Sequence, residues 1–257
     1  MKIINTYVLS DSGQIVESAD WHQAHEAISN AIRAMRWPDN KSAKDFRIPK
    51  IVTIRVGGTY TDEVGVIKTV GEKKKTLRNG VRPLRDQFRS WMAKKHWKAE
   101  KPLSLVPFFR RLREDEKVSF PNYPQVEHSD RIELNESVGD LDFWFKTKGG
   151  FRTAVEWETG NISSSHRSLN KMCLALMGGL TDAAVLVVPS SKLYPHLTDR
   201  IGNIRELQPY FYFWNRFGTL IQKGILAVIE VEHDRLFEST DLRDFVSTGN
   251  DGNSKRG

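Results

Sequence analysis

Glu156 and Glu158 stand two residues apart in Arg152-Thr-Ala-Val-Glu-Trp-Glu158, a stretch that alternates polar and apolar side chains. Alternation at period two marks a strand, and on a strand residues i and i+2 share a face. Asp142 lies in a second alternating run, Asp140-Leu-Asp-Phe-Trp-Phe-Lys146, and Thr147-Lys-Gly-Gly150 between the runs reads as a turn. The two runs therefore predict a hairpin that gathers three carboxylates at one end of a sheet. Like charges so close repel unless a cation or a shared proton intervenes. Mg²⁺ is the natural choice, a hard cation held by a few carboxylates and water while phosphate oxygens complete its shell. Such a site could activate water and stabilise charge on a scissile phosphate, with one metal or two. Spacing alone leaves two other readings open. Glu-x-Glu is common on solvated strand faces, and paired carboxylates also serve glycoside hydrolysis.

These residues need a frame, and the chain supplies one. Trp21, Ala24, Ile28, Ile32 and Met35 recur at helical spacing within Asp20 to Trp37, and Pro38 stops that helix. Ile51 to Val56 alternates as a strand. Gly71-Glu-Lys-Lys-Lys75 reads as a charged loop. Pro83 opens a second helix running towards Ala99, with Leu84, Phe88, Trp91 and Met92 on one side. After the hairpin, Ser163, Ser164 or Ser165 can cap a helix that runs to Met177 and ends at Gly178-Gly179. Ala183 to Val188 is continuously apolar and rich in valine, the mark of a strand buried on both faces. Ser190 to Leu197 predicts another short helix, and Ile225 to Val231 one more core strand. Strands and helices alternate from residue 140 onward, so the fold class is α/β with a central mixed sheet flanked by helices.

Composition narrows the partners. The 257 residues carry a charge of +7. Residues 1–120 hold 24 basic and 14 acidic residues, whereas 121–257 hold 15 and 18. A basic half beside an acidic one suggests a polyanion, most simply nucleic acid. The apolar share of 39% is enough for a packed core. No apolar run approaches the roughly 20 residues that span a bilayer, so no membrane partner is expected. A single cysteine, Cys173, cannot close an intramolecular disulfide, and the chain reads as intracellular and reduced. Residues 104–138 read as an insertion or excursion, and 247–257 as a mobile tail.

The run Val155-Glu-Trp-Glu-Thr-Gly-Asn-Ile-Ser-Ser-Ser-His-Arg-Ser-Leu-Asn-Lys171 closely resembles the signature of the BamHI family of type II restriction endonucleases. Leu197-Thr-Asp-Arg-Ile-Gly-Asn-Ile-Arg-Glu-Leu-Gln-Pro-Tyr-Phe211 resembles that family's downstream block. Asn79-Gly-Val-Arg-Pro-Leu-Arg85 and Glu100-Lys-Pro102 resemble upstream blocks, and Gly249 to Arg256 its C-terminus. The resemblance implies one restriction endonuclease domain over 1–257 with a PD-(D/E)xK core, in which 41–75 and 104–138 are longer than in the relatives. The usual motif ends in lysine; this family has glutamate there, as here at Glu158.

By resemblance, Asp142 and Glu156 are metal-binding carboxylates, the Trp157 carbonyl is a further ligand, and Glu100 holds a second metal. Glu158 takes the general-base position. A glutamate beside a divalent cation keeps a low pKa, so the metal must do most of the activation. Asn161, Ser163 and Arg167 resemble major-groove contacts, and Asp199 and Arg200 another base-reading pair. Arg85 stands where a relative has lysine. These residue types suit base edges, because arginine donates twice to guanine, asparagine pairs with an edge and aspartate accepts from cytosine. Taken alone, Asn161 could be a turn residue, Ser163 a cap, and Asp199-Arg200 a local ion pair. Lys73 to Lys75 and Arg110 to Arg113 are candidate phosphate contacts or solvated loops. Leu169, Met172, Cys173 and Leu176 form a helical stripe, which is monomer core unless, as the resemblance implies, part of this helix instead packs in a two-fold dimer. The resemblance implies a cytoplasmic prokaryotic homodimer that cuts double-stranded DNA at G^GATCC with Mg²⁺, beside a cognate methyltransferase. The alternative is a sequence-specific DNA-binding protein whose nuclease site is inactive or regulated.

Overall fold

The computed structural model describes residues 1–37, 44–61, 64–95, 97–104, 137–158, 160–198 and 201–245. The central sheet is built from β1 (Lys2–Ser12), β5 (Lys98–Ser104), β6 (Ser137–Lys146), β7 (Arg152–Trp157), β8 (Ala183–Pro189) and β9 (Gly224–Glu232). Across the sheet they lie in the order β1-β9-β8-β7-β6-β5. β7, β8 and β9 run parallel, while β1, β6 and β5 pair antiparallel at the two sides, so the sheet is mixed. Short β2 (Arg47–Pro49) pairs parallel with β10 (Arg235–Phe237). β3 (Val52–Thr61) and β4 (Ile67–Leu77) form a separate antiparallel ribbon.

Period-two alternation splits the core strands between two layers. Val185, Val187, Ala227 and Ile229 face a cluster with Ile28 and Ile32 of helix α1 (Ala19–Ala34) and Phe88 and Met92 of helix α2 (Arg82–Ala93). Leu186, Val188, Leu226 and Val228 face Leu169, Met172, Cys173 and Leu176 of helix α3 (Ile162–Met177). The aliphatic stripe of α3 is thus core of the monomer, each member at most 1% exposed. Burial also pushes the Cys173 thiol up to about 12, which keeps it protonated and inert. Two short helices follow, α4 (Ile204–Leu207) and α5 (Phe211–Phe217).

Several sequence expectations need correction. Lys2–Ser12 is an edge strand, although residues 1–10 carried no strand expectation. Gly71 to Lys75 lies inside β4 rather than in a loop. The lysines misled because charge favours solvent, but an exposed ribbon gives both strand pairing and solvent. The helix opened by Pro83 ends at Ala93, and the chain then extends into β5. Ser190 to Leu197 contains only one 3-10 turn, Tyr194–His196. Of the 104–138 segment, 105–136 lies outside the described residues, and the ends belong to β5 and β6. The tail from 246 is likewise outside them.

Candidate active site

The β6–β7 hairpin forms as its alternation predicts, with Phe143 opposite Val155. One further step of that register brings Asp142 level with Glu156. On the other side of β6, Ala99 pairs with Phe143 and Lys101 with Leu141, so Glu100 stands opposite Asp142 in the ladder. The backbone therefore sets Glu100, Asp142 and Glu156 in one row across three strands. The row and its hairpin are tied directly. Asp142 Oδ2 accepts from the Trp157 N–H at 2.9 Å, and Glu156 Oε1 accepts from the Asp142 N–H at 3.4 Å.

Glu156 and Glu158 both face α3, because Val155 and Trp157 between them belong to the opposite core layer. Three α3 residues at successive helical turns meet them. Ser165 donates its hydroxyl to Glu158 Oε2, Ser168 donates to Glu156 Oε2 at 3.3 Å, and Lys171 pairs with Glu156 Oε1 at 2.6 Å. Lys171 also donates to the Asp140 carbonyl at 2.5 Å. Glu158 Oε1 accepts the Gly160 N–H at 2.6 Å. Each Glu158 oxygen keeps acceptor capacity beyond these bonds. Lys171 did not stand out in the sequence. Its signal was the spacing Ser165, Ser168, Lys171, a polar line on the sheet-facing side of an otherwise apolar helix.

Burial governs the protonation of this cluster. It pushes Glu158 up to about 7, against the hydrogen bonds from Ser165 and Gly160 that favour the charged form, and nearby Glu156 and Asp142 push it further up. Burial likewise raises Glu156, with Lys171 opposing. The low pKa expected for Glu158 thus belongs to a cation-loaded site; without the cation, desolvation dominates. Among the described residues no three His, Cys, Asp or Glu side chains already converge as a metal cage. The donor chemistry nevertheless fits a hard divalent cation: two adjacent carboxylates on one row, with an ammonium already drawn to one of them. A cation sharing Glu156 Oε1 must displace Lys171 from it.

The described candidate base readers stand on two helix starts beside this row. Asn161 is the N-cap of α3, its Oδ1 accepting from the Ser164 N–H at 3.2 Å, so the cap is Asn161 rather than a serine. Ser163 and Arg167 are exposed on the first turns of α3. Asp199 and Arg200 lie outside the described residues, but both ends of their loop are fixed. Asn79 bridges to Leu197, Asn161 bridges to Ile201, and the Gly202 N–H donates to the Gly160 carbonyl at 3.0 Å. The described residues on its two sides thus lie beside Asn79, just before α2, and beside Gly160 and Asn161 at the start of α3. Arg85, on the first turn of α2, reaches Asp86 at 3.4 Å, and its Nε is buried with no hydrogen-bond partner among the described residues. His166 packs edge-on against Tyr210 and near Trp214, so it ties α3 to α5 structurally. Of the Lys73 to Lys75 candidates, Lys74 and Lys75 are exposed on β4, and Arg110 to Arg113 are outside the described residues.

A mixed sheet with acidic residues across its β5–β6–β7 side, flanked by helices, is the restriction endonuclease fold of the PD-(D/E)xK type. The fold superposes on the crystal structure of restriction endonuclease BglII complexed with a DNA 16-mer, with a TM-score of 0.51 over 93% of this chain and 87% of that one, at 10% identity. Residues 1–253 match the family described as restriction endonuclease BamHI, and the chain belongs to that family. The type II restriction enzyme OkrAI of Oceanobacter kriegii is 43% identical over 131 residues, 51% of this chain and 64% of that protein. The type II restriction enzyme BamHI of Bacillus amyloliquefaciens is 34% identical over 134 residues, 52% of this chain and 53% of that protein. The matches thus span about half to two thirds of the length of each curated relative.

Proposed function

We propose that this chain is a type II restriction endonuclease, one domain over 1–257, that hydrolyses a phosphodiester in each strand of a palindromic duplex site, G^GATCC. The observation that carries the reading is the row Glu100, Asp142, Glu156 with Glu158 beside it, framed by the two helix starts that hold Arg85, Asn161, Ser163 and Arg167. Asp142, Glu156 and the Trp157 carbonyl would hold Mg²⁺, and Glu100 a second ion. When bound there, the cation shields the phosphate and acidifies water. Glu158 is fixed by the Gly160 N–H and the Ser165 hydroxyl. It orients the attacking water and accepts its proton. The water oxygen bonds to phosphorus in line with the leaving group, the P–O3′ bond breaks, the departing O3′ takes a proton from solvent water, and the products are a 3′-hydroxyl and a 5′-phosphate. Lys171 steadies Glu156 before the cation arrives.

A palindrome calls for two copies related by a two-fold axis. Tyr210, Tyr212 and Phe213 beside and on α5 are 48%, 68% and 53% exposed, an aromatic patch suited to such a contact. No helix of the described residues is long and apolar enough to cross a membrane. The host's own sites would need protection by a cognate methyltransferase. Digestion of end-labelled DNA carrying one GGATCC site, in Mg²⁺ and in EDTA, tests the reading. A single Mg²⁺-dependent cut after the first G is expected. Cutting elsewhere would remove the assigned specificity. Specific binding without any cut would favour the binding-only alternative.

A further inference from the structure

The β3–β4 ribbon stands apart from the carboxylate row and from the base readers, yet it is rooted among them. Its first and last pairs are Val52 with Leu77 and Thr61 with Ile67. The two strands contain five Lys and Arg residues and one Glu. Arg55 stands directly opposite Lys74, so two cations sit side by side across the ladder. A two-stranded ribbon is marginal by itself, and a ligand lying along its strands would add support.

At its root, one face of the ribbon is polar and basic. Thr53 and Thr76 are cross-strand neighbours, their hydroxyls 3.1 Å apart, and Arg55 and Lys74 form the next pair on the same face. All four are exposed. Hydroxyls and cations in such a line are phosphate-contacting groups. The root fixes where the ribbon can reach. Buried Asn79 donates its side-chain amide to the Pro49 carbonyl at 3.0 Å and to the His196 carbonyl at 2.8 Å. The Ile51 N–H donates to His196 Nδ1 at 3.3 Å. The ribbon thus leaves the body beside the 3-10 turn Tyr194–His196, which precedes Asp199-Arg200, and returns directly into α2 and Arg85. The 10 residues of β3, at about 3.3 Å each, extend about 30 Å. That is about nine base pairs at about 3.4 Å per step.

We infer that the β3–β4 ribbon is a second DNA-contact element, whose Thr53, Thr76, Arg55 and Lys74 face grips phosphates of the duplex flanking the recognition site. The inference rests on the restriction reading, since it takes the DNA in the central site as its starting point. The test measures binding without divalent cation to a duplex of about 14 base pairs and one of about 34, each centred on GGATCC and chosen to lie below and above the combined span of site and ribbon. The expected result is that the wild-type chain binds the longer duplex about tenfold tighter. Its salt slope should be steeper by about 0.9 for each further phosphate that the ribbon neutralises. Lys74→Glu and the milder Arg55→Gln/Lys74→Gln pair should collapse the ratio between the two duplexes towards one. An undiminished ratio in both variants overturns the inference, as does a wild-type chain blind to duplex length. If that length-blind chain still cuts GGATCC, the restriction reading stands without the ribbon. If it neither binds nor cuts any duplex, both fall.

Discussion

Lys171 and Glu156 are a nearly buried ion pair, with side chains 10% and 9% exposed. Removing one partner from such a pair leaves a charge without compensation, which costs about 3–5 kcal/mol where the charge persists. Lys171→Met should therefore destabilise the cation-free chain, with protonation of Glu156 limiting the loss. The same substitution removes the competitor for Glu156 Oε1, so Mg²⁺ should bind tighter and restore more stability than in wild type. Thermal unfolding in EDTA and in Mg²⁺, with calorimetric titration of the ion, reads both effects; weaker Mg²⁺ binding would reverse the assignment. Glu158→Lys should fail for a related reason. The Gly160 N–H and the Ser165 hydroxyl both point at the carboxylate, and an ammonium offers them no acceptor. Cleavage of GGATCC should fall by at least about 10²-fold, the usual share of a general base; a near-normal single-turnover rate would exclude that role. At this scale the sequence was legible wherever one strand carried the pattern. Asp142, Glu156 and Glu158 followed from period two. Lys171 did not, because its meaning depends on a helix packing over a strand that precedes it in the chain.

The elements were legible in proportion to how much core they bury. The fully buried β8 and β9 were visible as unbroken apolar runs, and the hairpin as two alternations around a turn. β1 was missed because an edge strand needs only one buried face, and Ile4 and Val8 on it remain 46% and 42% exposed. The link between β7 and α3 shows what a short connection must do. It carries Glu158 and Asn161 within a few residues, one facing the acidic row and the other capping α3. Gly160 between them has no room for a side chain: a Cβ would lie 2.5 Å from Ser164 Oγ and 3.4 Å from Glu158 Oε1. Gly160→Ala should cost about 1–3 kcal/mol, as overpacking does. It should also slow cleavage, since making room for the Cβ beside Ser164 shifts the link whose Gly160 N–H holds Glu158. Chemical denaturation paired with single-turnover cleavage separates the two; a variant as stable and as fast as wild type would show that the link yields freely.

Across the whole molecule, two sets of groups answer acid in opposite senses. Burial raises Glu156 and Glu158, so their contribution is fully present below the ordinary carboxylate range and is lost as pH rises, for Glu158 through about 7. Burial lowers His196 and His233, with Lys50 adding to the effect on His196. Around His233, Glu232 and Asp234 oppose that shift while His196 and Lys2 reinforce it. For these histidines the unfolded chain takes protons first, so stability is full above the ordinary value of 6.5 and declines as pH falls below it. The two terms partly cancel in total stability, so a bulk titration would hide both. His196 offers a local readout. Its Nδ1 accepts the Ile51 N–H, which requires that nitrogen to be unprotonated. Protonation sets two donors against each other where the ribbon joins the body. Amide exchange at Ile51 should therefore accelerate as pH falls below about 6.5, beyond the intrinsic trend. His196→Asn can present an amide oxygen at the same place and cannot take up the proton, so it should abolish that acceleration. The wild-type minus variant stability difference should fall over the same window, because the carboxylate term is common to both and drops out. Parallel exchange curves for the two proteins would mean that the ribbon's root is held without His196.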